Sequence, residues 1–313
     1  MFTMQFLVTV VTLVGIFGVL TVVLNLELGE SGMIDFGLVA FFAAGAYVYA
    51  IFTQPPPTAL QQYLFGLELP IVVGLVAGGV AALLFALLTG SLTLRLRGEY
   101  FALTTFAFAE VFGSFLVNEP RFGNGTVGLV GLKRPYRDIV GIDYEVFIAL
   151  VSLALLVVVV IGVQRIIKSP YGRTLRMMRD DEVAALTSGK RVSRYRLQVF
   201  LFAAFTMGIA GGFYVWFTTL VTPSLFTAGV TFTVWIALIV GGVGSTWRAV
   251  LGITIIVLFE ELVRLVPYST VRSAQIATSL RLSGLGLLLI IFLRWQPVVR
   301  LENRIRQRWA ASR

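Results

Sequence analysis

The sequence predicts an all-α fold: a polytopic helical membrane protein with about 8–10 transmembrane helices. Three observations carry this. Of its 313 residues 58% are hydrophobic and only 13% charged, far too apolar for an ordinary soluble domain. Several uninterrupted apolar runs reach about 20 residues, the length that crosses a bilayer core as a helix. The basic residues are gathered: 164–196 and 294–313 together hold fifteen of the 25 Lys and Arg. A β-barrel would need shorter alternating segments, and the chain has none.

Taken in order, the first span covers about Phe6 to Leu24 and reads as a retained span rather than a cleaved signal. Asn25 to Phe52 follows, with a polar, Gly-rich start and a run of small and aromatic residues. Glu27, Glu30 and Asp35 are costly at membrane depth unless they face protein, water or headgroups. Two readings stand at this point: a broken or re-entrant element at 27–52, or a short turn followed by an ordinary span. Thr53 to Leu69 has three prolines, Glu68 and no basic residue, which places it outside. The third span, Pro70 to Leu94, offers Gly74, Ala77, Gly78, Ala81 and Ala82 for close helix approach. Arg95 and Arg97 mark its inner edge.

Tyr100 to Val117 forms the fourth span and contains Glu110. Glu99 and Glu110 lie eleven residues apart, three helical turns, and so share a face. They form either a polar stripe along a solute path or structural carboxylates between helices. Asn118 to Ile142 is a polar outer loop whose glycines lack the Lys-Ser or Lys-Thr of a phosphate loop. The fifth span is Tyr144 to Val163.

Gln164 to Arg196 is the long charged interruption, with nine basic residues and the acidic cluster Asp180, Asp181, Glu182. Ser169 suits a helix N-cap, Pro170 the first helical position and Gly189 the position past the end. One short amphipathic helix is predicted, with Leu175, Met178, Ala185 and Leu186 on one side and Arg173, Arg176 and Asp180 on another. The positive-inside rule puts it, with the tail, in the cytoplasm. It is either a lipid-surface helix or a handle for a soluble partner.

Spans at Leu197 to Leu220, Gly229 to Val243, Ala249 to Val266 and Leu282 to Leu293 complete the chain. The third of these carries Glu260 and Arg264, placed for an i,i+4 ion pair that leaves Glu261 free. The chain reads as a single transmembrane domain over 1–313, with 164–196 a cytoplasmic loop and 294–313 a basic cytoplasmic tail. There is no Cys and no His, which removes thiol chemistry, the usual zinc sites and imidazole catalysis. The net charge of +9 reports topology rather than nucleic acid. No cofactor, metal site or enzyme activity is expected.

Ser169 to Phe200, SPYGRTLRMMRDDEVAALTSGKRVSRYRLQVF, resembles the cytoplasmic loop of the permease subunits of branched-chain amino acid ABC transporters, a family that includes urea and amide permeases. Gly172-Arg173, Arg179, Asp181-Glu182 and Ala184-Ala185 stand at the motif's places. Asn25–Tyr47, Arg97–Phe112, Asn124–Leu132 and Ile209–Ser245 match in the same order. The family often has Ser or Asn at Asp35, His or Gln at Leu38, and Gly-Pro where Arg248 and Ala249 stand here. Asp35 would then favour a cationic or amide substrate, or pair with an arginine.

The resemblance implies a permease subunit in a prokaryotic inner membrane, forming the translocation path of an ATP-binding cassette importer for branched-chain amino acids or a related small polar solute. Its implied partners are two ABC ATPase subunits at the cytoplasmic face, a second permease subunit and an extracytoplasmic solute-binding protein. Gly172, Arg173, Arg176, Arg179, Asp181 and Glu182 are the expected ATPase-coupling residues. Asp35, Phe41, Tyr47, Thr105 and Glu110 are the expected substrate-path residues. The alternative is an ion- or proton-coupled secondary transporter.

Overall fold

The computed structural model describes residues 4–57, 63–96, 98–137, 143–264, 279, 283–292 and 294. Arg97, Val266 and the basic tail beyond Arg294 lie outside these.

Helix α1, Met4–Asn25, continues into a wider π-helical turn, Leu26–Glu30. Six residues without regular structure, 32–37, separate it from α2, Leu38–Thr53. Then come α3 (Ile71–Thr93), α4 (Glu99–Asn118), the single turn α5 (Pro120–Gly123) and α6 (Tyr144–Lys168). The charged interruption holds α7 (Pro170–Asp180) and α8 (Glu182–Thr187). Helices α9 (Val192–Thr218), α10 (Ala228–Gly241) and α11 (Thr246–Arg264) follow, and α12 covers Ser283–Phe292. A two-stranded ribbon pairs Leu129 with Val221 and Val130 with Leu220, antiparallel.

Six of these segments are long and apolar enough to cross a membrane: 4–30, 71–93, 99–118, 144–168, 192–218 and 223–241. Helices α2 and α12 are apolar but shorter, and α11 carries Arg248, Glu260, Glu261 and Arg264. The all-helical membrane architecture is as the apolar runs predict. Threonines inside it hide their hydroxyls on their own helices. Thr12, Thr21, Thr89 and Thr206 each donate to the carbonyl four residues back, at 2.8–3.0 Å. In lipid this satisfies the hydroxyl without a partner helix.

The centre of the bundle is α2, whose side chains are almost all buried against α3, α9 and the neighbouring helices. A node of three glycines sets this packing. A Cβ on Gly45 would strike the Gly208 backbone, one on Gly78 would meet the Gly45 carbonyl at 2.6 Å, and one on Gly208 would meet the Gly78 carbonyl at 2.8 Å. Lipid tails give helices no hydrophobic reason to associate, so close backbone approach and its dispersion contacts hold them together. Gly74, Gly78 and Ala82 of the predicted small-residue row form the buried edge of α3; Ala77 and Ala81 are only half-buried.

Helix α1 lies along α6 in the same direction, with Gly15 against Ser152 and Gly18 against Leu156. Both therefore run toward α7. Helix α2 starts at that end, and the chain beyond its C-terminus sits at the other, where Tyr63 donates to the Pro55 carbonyl and Lys133 pairs with Glu68 at 3.4 Å. So 27–52 is a broken element whose helix runs from the α7 end of the bundle to the other, and α1 begins at the end opposite α7.

The acid–base pairing on α11 differs from expectation. Arg264 pairs with Glu261 at 3.3 Å, one residue closer than the expected Glu260, which instead accepts from Thr233 at 3.5 Å. Residues three and four apart are both helix neighbours, and packing against α10 gives Glu260 to Thr233.

Candidate functional site

Ser169 leaves the helix of α6 in an extended conformation, and its hydroxyl oxygen accepts from the Gly172 amide at 3.4 Å while donating to the Ile166 carbonyl at 2.6 Å. Pro170 then opens α7 where its missing N–H costs nothing. Any side chain on Gly172 would strike the Ile166 and Ile167 carbonyls, so the sharp turn between α6 and α7 requires glycine.

The predicted single amphipathic helix is two. Asp181 is extended, and its carboxylate accepts from the Val183 and Ala184 amides at 2.9 and 3.0 Å. This N-cap starts α8 and ends α7, because an Asp carboxylate satisfies the free amides of a new helix better than it sits inside one. Gly189, at φ +74°, ends α8: its amide donates to Leu186 and the Lys190 amide to Ala185, both orphan carbonyls of the last turn.

The break also turns the faces. Leu175, Met178 and Ala185 are buried as predicted, Leu175 in the main core and the other two in a small cluster with Val192. Leu186 is not; it is 48% exposed, beside Val183 at 67%. Tyr171 packs its ring at a tilt against Tyr195, with centroids 5.2 Å apart, and donates to the Tyr195 carbonyl at 3.3 Å. Burial pushes its phenol up to about 12, so it stays a neutral donor.

Two of the four charges on α7, Arg176 and Arg179, reach back into the protein. Arg176 forms an ion pair with Glu30 at 2.8 Å and also donates to the Ile167 carbonyl at 3.3 Å. Arg179 donates to the Gly29 carbonyl and pairs with Asp180 at 2.8 Å. Glu182 pairs with Arg196 at 3.2 Å. Of the six predicted coupling residues, Gly172 and Asp181 shape the backbone, Arg176, Arg179 and Glu182 are tied within the chain, and Arg173 stands exposed.

The π-helical turn is thus held from two sides. Arg176 and Arg179 of α7 grip one. On the other, the Gly244 amide, in the GGVGS turn between α10 and α11, donates to Asn25 at 2.8 Å. Past the turn, Trp235 donates its indole N–H to the Asp35 carbonyl at 2.9 Å and stacks on Phe36 at 4.7 Å. The Phe36 amide donates to the Thr105 hydroxyl at 3.1 Å. So α7, α10 and α4 all converge on the break.

Asp35 is fully buried, and one oxygen accepts from the Gly37 amide at 2.7 Å. The expected arginine partner is absent among the described residues: those that approach take Glu30 and the Gly29 carbonyl instead. Its other oxygen, and both oxygens of the equally buried Glu27, have no hydrogen-bond partner among the described residues. The remaining path candidates divide. Phe41, Tyr47 and Thr105 are buried within the bundle, while Glu110 is exposed on the outer side of α4, on the same face as Glu99.

Comparison with known proteins agrees with this architecture. The family described as "Branched-chain amino acid transport system / permease component" matches residues 6–293. The "High-affinity branched-chain amino acid transport system permease protein LivM" of Escherichia coli is 28% identical over 93% of this chain and 68% of its own length. The Salmonella typhimurium protein of the same name matches equally. The "Probable branched-chain amino acid transport permease protein LivM" of Methanocaldococcus jannaschii is 23% identical over 90% of this chain and 89% of its own. No solved structure shows a significant match. With nearly the whole chain matched and six helices able to span a bilayer, this is a multi-pass membrane protein belonging to the branched-chain amino acid transport permease family.

Proposed function

We propose that the chain is the membrane subunit of an ATP-driven importer of branched-chain amino acids or a related small solute. Helices α7 and α8 face the cytoplasm and seat an ABC ATPase subunit there. A second permease completes the path, and a solute-binding protein delivers substrate at the outer face. The observation that carries this reading is the double attachment of α7 to the break, through Arg176–Glu30 and Arg179–Gly29.

The chain has no phosphate-binding motif, so chemical energy must arrive through contact with another protein. A helix displaced by such a partner moves whatever it is fastened to. Here that is the π-helical turn, and through it Asp35, Trp235 and Thr105. The docking surface lies on the exposed side of α7 and α8 and centres on Arg173, Val183 and Leu186. Burying Val183 and Leu186 against a partner removes apolar surface from water, and Arg173 is of a residue type enriched at binding hot spots.

Replacing Leu186 or Val183 with Asp tests this. The variants keep every internal tie of the loop, so they should fold and insert normally but lose co-purification with the ATPase subunits. Undiminished co-purification and undiminished ATP-driven uptake would remove the docking role.

A further inference from the structure

The outer faces of α3 and α6 show what this protein presents to lipid. On α3 the exposed large side chains run Val72, Val76, Val80, Leu84 and Leu88; on α6 they run Leu150, Leu153, Val157, Val158 and Ile161. All are aliphatic. Helix α4 departs from this. Its inner face, Phe101, Ala102, Thr105, Ala109 and Leu116, is buried in the bundle. Its outer face mixes Tyr100, Leu103 and Val111 with Ala107, Glu110, Ser114 and Asn118, all exposed, so that a carboxylate and two polar groups interrupt the apolar surface. The last four stand at −3, 0, +4 and +8 relative to Glu110, one side of the helix.

Glu110 is the twelfth residue of a 20-residue helix, about 17 Å along some 30 Å, and so level with the bilayer middle. It has no ion pair or hydrogen bond among the described residues. An acid facing hydrocarbon there costs roughly 3 kcal/mol, so this face meets water or protein. Asn118 donates one amide hydrogen to the Ser114 carbonyl at 2.8 Å, which leaves the second as a spare donor. A Cβ built on Gly113 meets nothing within 4 Å, so the flank of the stripe is open. One turn before Glu110, Phe106 lies 6.2 Å from Phe232 of α10, and Phe232 lies 5.9 Å from Phe36 in the break.

We propose that this face of α4 is the wall of the solute path against the second permease subunit, with Glu110 receiving the ammonium group of an amino acid and Phe106 and Phe232 its apolar side chain. This rests on the transport reading above and narrows it. Within the family's solutes it selects amino acids over neutral urea or simple amides, because only the former bring a cation to the carboxylate. The Ser114 hydroxyl and the second amide hydrogen of Asn118 are donors for the amino acid's own carboxylate. The Phe36–Phe232 contact joins the wall to the break gripped by α7.

The absence of cysteine makes the test clean. Ser114→Cys, with Ala107→Cys as a second variant, is assembled with its partner subunits in proteoliposomes and treated with water-soluble cationic or anionic thiol reagents. Val158→Cys serves as the lipid-facing control. The expected result is modification at 114 and 107 but not at 158. The cationic reagent should react faster, with the preference falling about tenfold when Glu110→Gln is added. L-leucine should slow the modification and its deaminated analogue, 4-methylpentanoate, should not. Cysteines at 107 and 114 as inert as at 158, or equal protection by both compounds, would overturn the proposal. A wild-type complex that takes up no amino acid would instead overturn the transport reading itself.

Discussion

Arg176 and Glu30 stand 146 residues apart in sequence and meet in an ion pair of 2.8 Å, with Glu30 only 4% exposed and Arg176 36%. The pair joins the charged loop to the π-helical end of the first helix. Removing Arg176 strands a nearly buried carboxylate. Arg176→Ala should cost about 2–3 kcal/mol, less than a fully buried pair because the guanidinium is partly solvated. Glu30→Gln should cost less, since the amide still accepts. A double-mutant cycle read by thermal denaturation in detergent should give a coupling of about 1 kcal/mol or more; additive losses would mean the pair contributes nothing.

The buried acids beside it behave differently. Glu27 has no partner for either oxygen and Asp35 has one for a single oxygen. Glu27→Gln and Asp35→Asn should therefore fold with equal or greater thermal stability, because each removes a charge that nothing pairs. Asp35→Leu should lose about 1–3 kcal/mol by orphaning the Gly37 amide. An amide variant that fails to fold would show that the charge itself is needed.

Glycines give a sharp contrast. Gly78→Leu drives a side chain into the Gly45 backbone and should abolish monodisperse, folded material. Gly113→Ala meets open space on α4 and should be neutral or stabilising by about 0.5–1 kcal/mol. Size-exclusion profiles with melting curves would separate the two.

Asp181 caps α8 through two amides. Asp181→Ala should cost about 1 kcal/mol and Asp181→Asn much less. Hydrogen exchange at Val183 and Ala184 is the direct readout, and it should accelerate in the alanine variant alone.

The sequence discloses the spans because lipid demands long apolar runs and leaves them unmistakable. It also discloses Ser169, Pro170 and Gly189, whose roles depend on local backbone chemistry. The helix break at Asp181 is equally local: an Asp followed by Glu-Val-Ala-Ala is a capping signal, hidden by a helical wheel drawn through it. Partner choice is another matter. That Arg176 reaches Glu30, that Glu260 turns to Thr233, and that Asp35 meets no arginine among the described residues depend on how segments distant in sequence are packed. Glu99 and Glu110 share a face in any helix, but which face the bundle leaves open depends on α2 and α3. The exposure of Leu186, expected on the buried side, follows from the turn at Asp181.

The central claim is that this chain moves solute only when an ATPase drives it through α7 and α8. The direct measurement is uptake of a radiolabelled branched-chain amino acid, supplied with its binding protein, into proteoliposomes. One preparation holds the chain alone; the other holds it assembled with its second permease and ATPase subunits. The account predicts no uptake by the chain alone, and ATP-dependent, vanadate-sensitive uptake by the assembly that Leu186→Asp abolishes. Uptake by the chain alone, driven by a proton or sodium gradient and indifferent to vanadate, would contradict it.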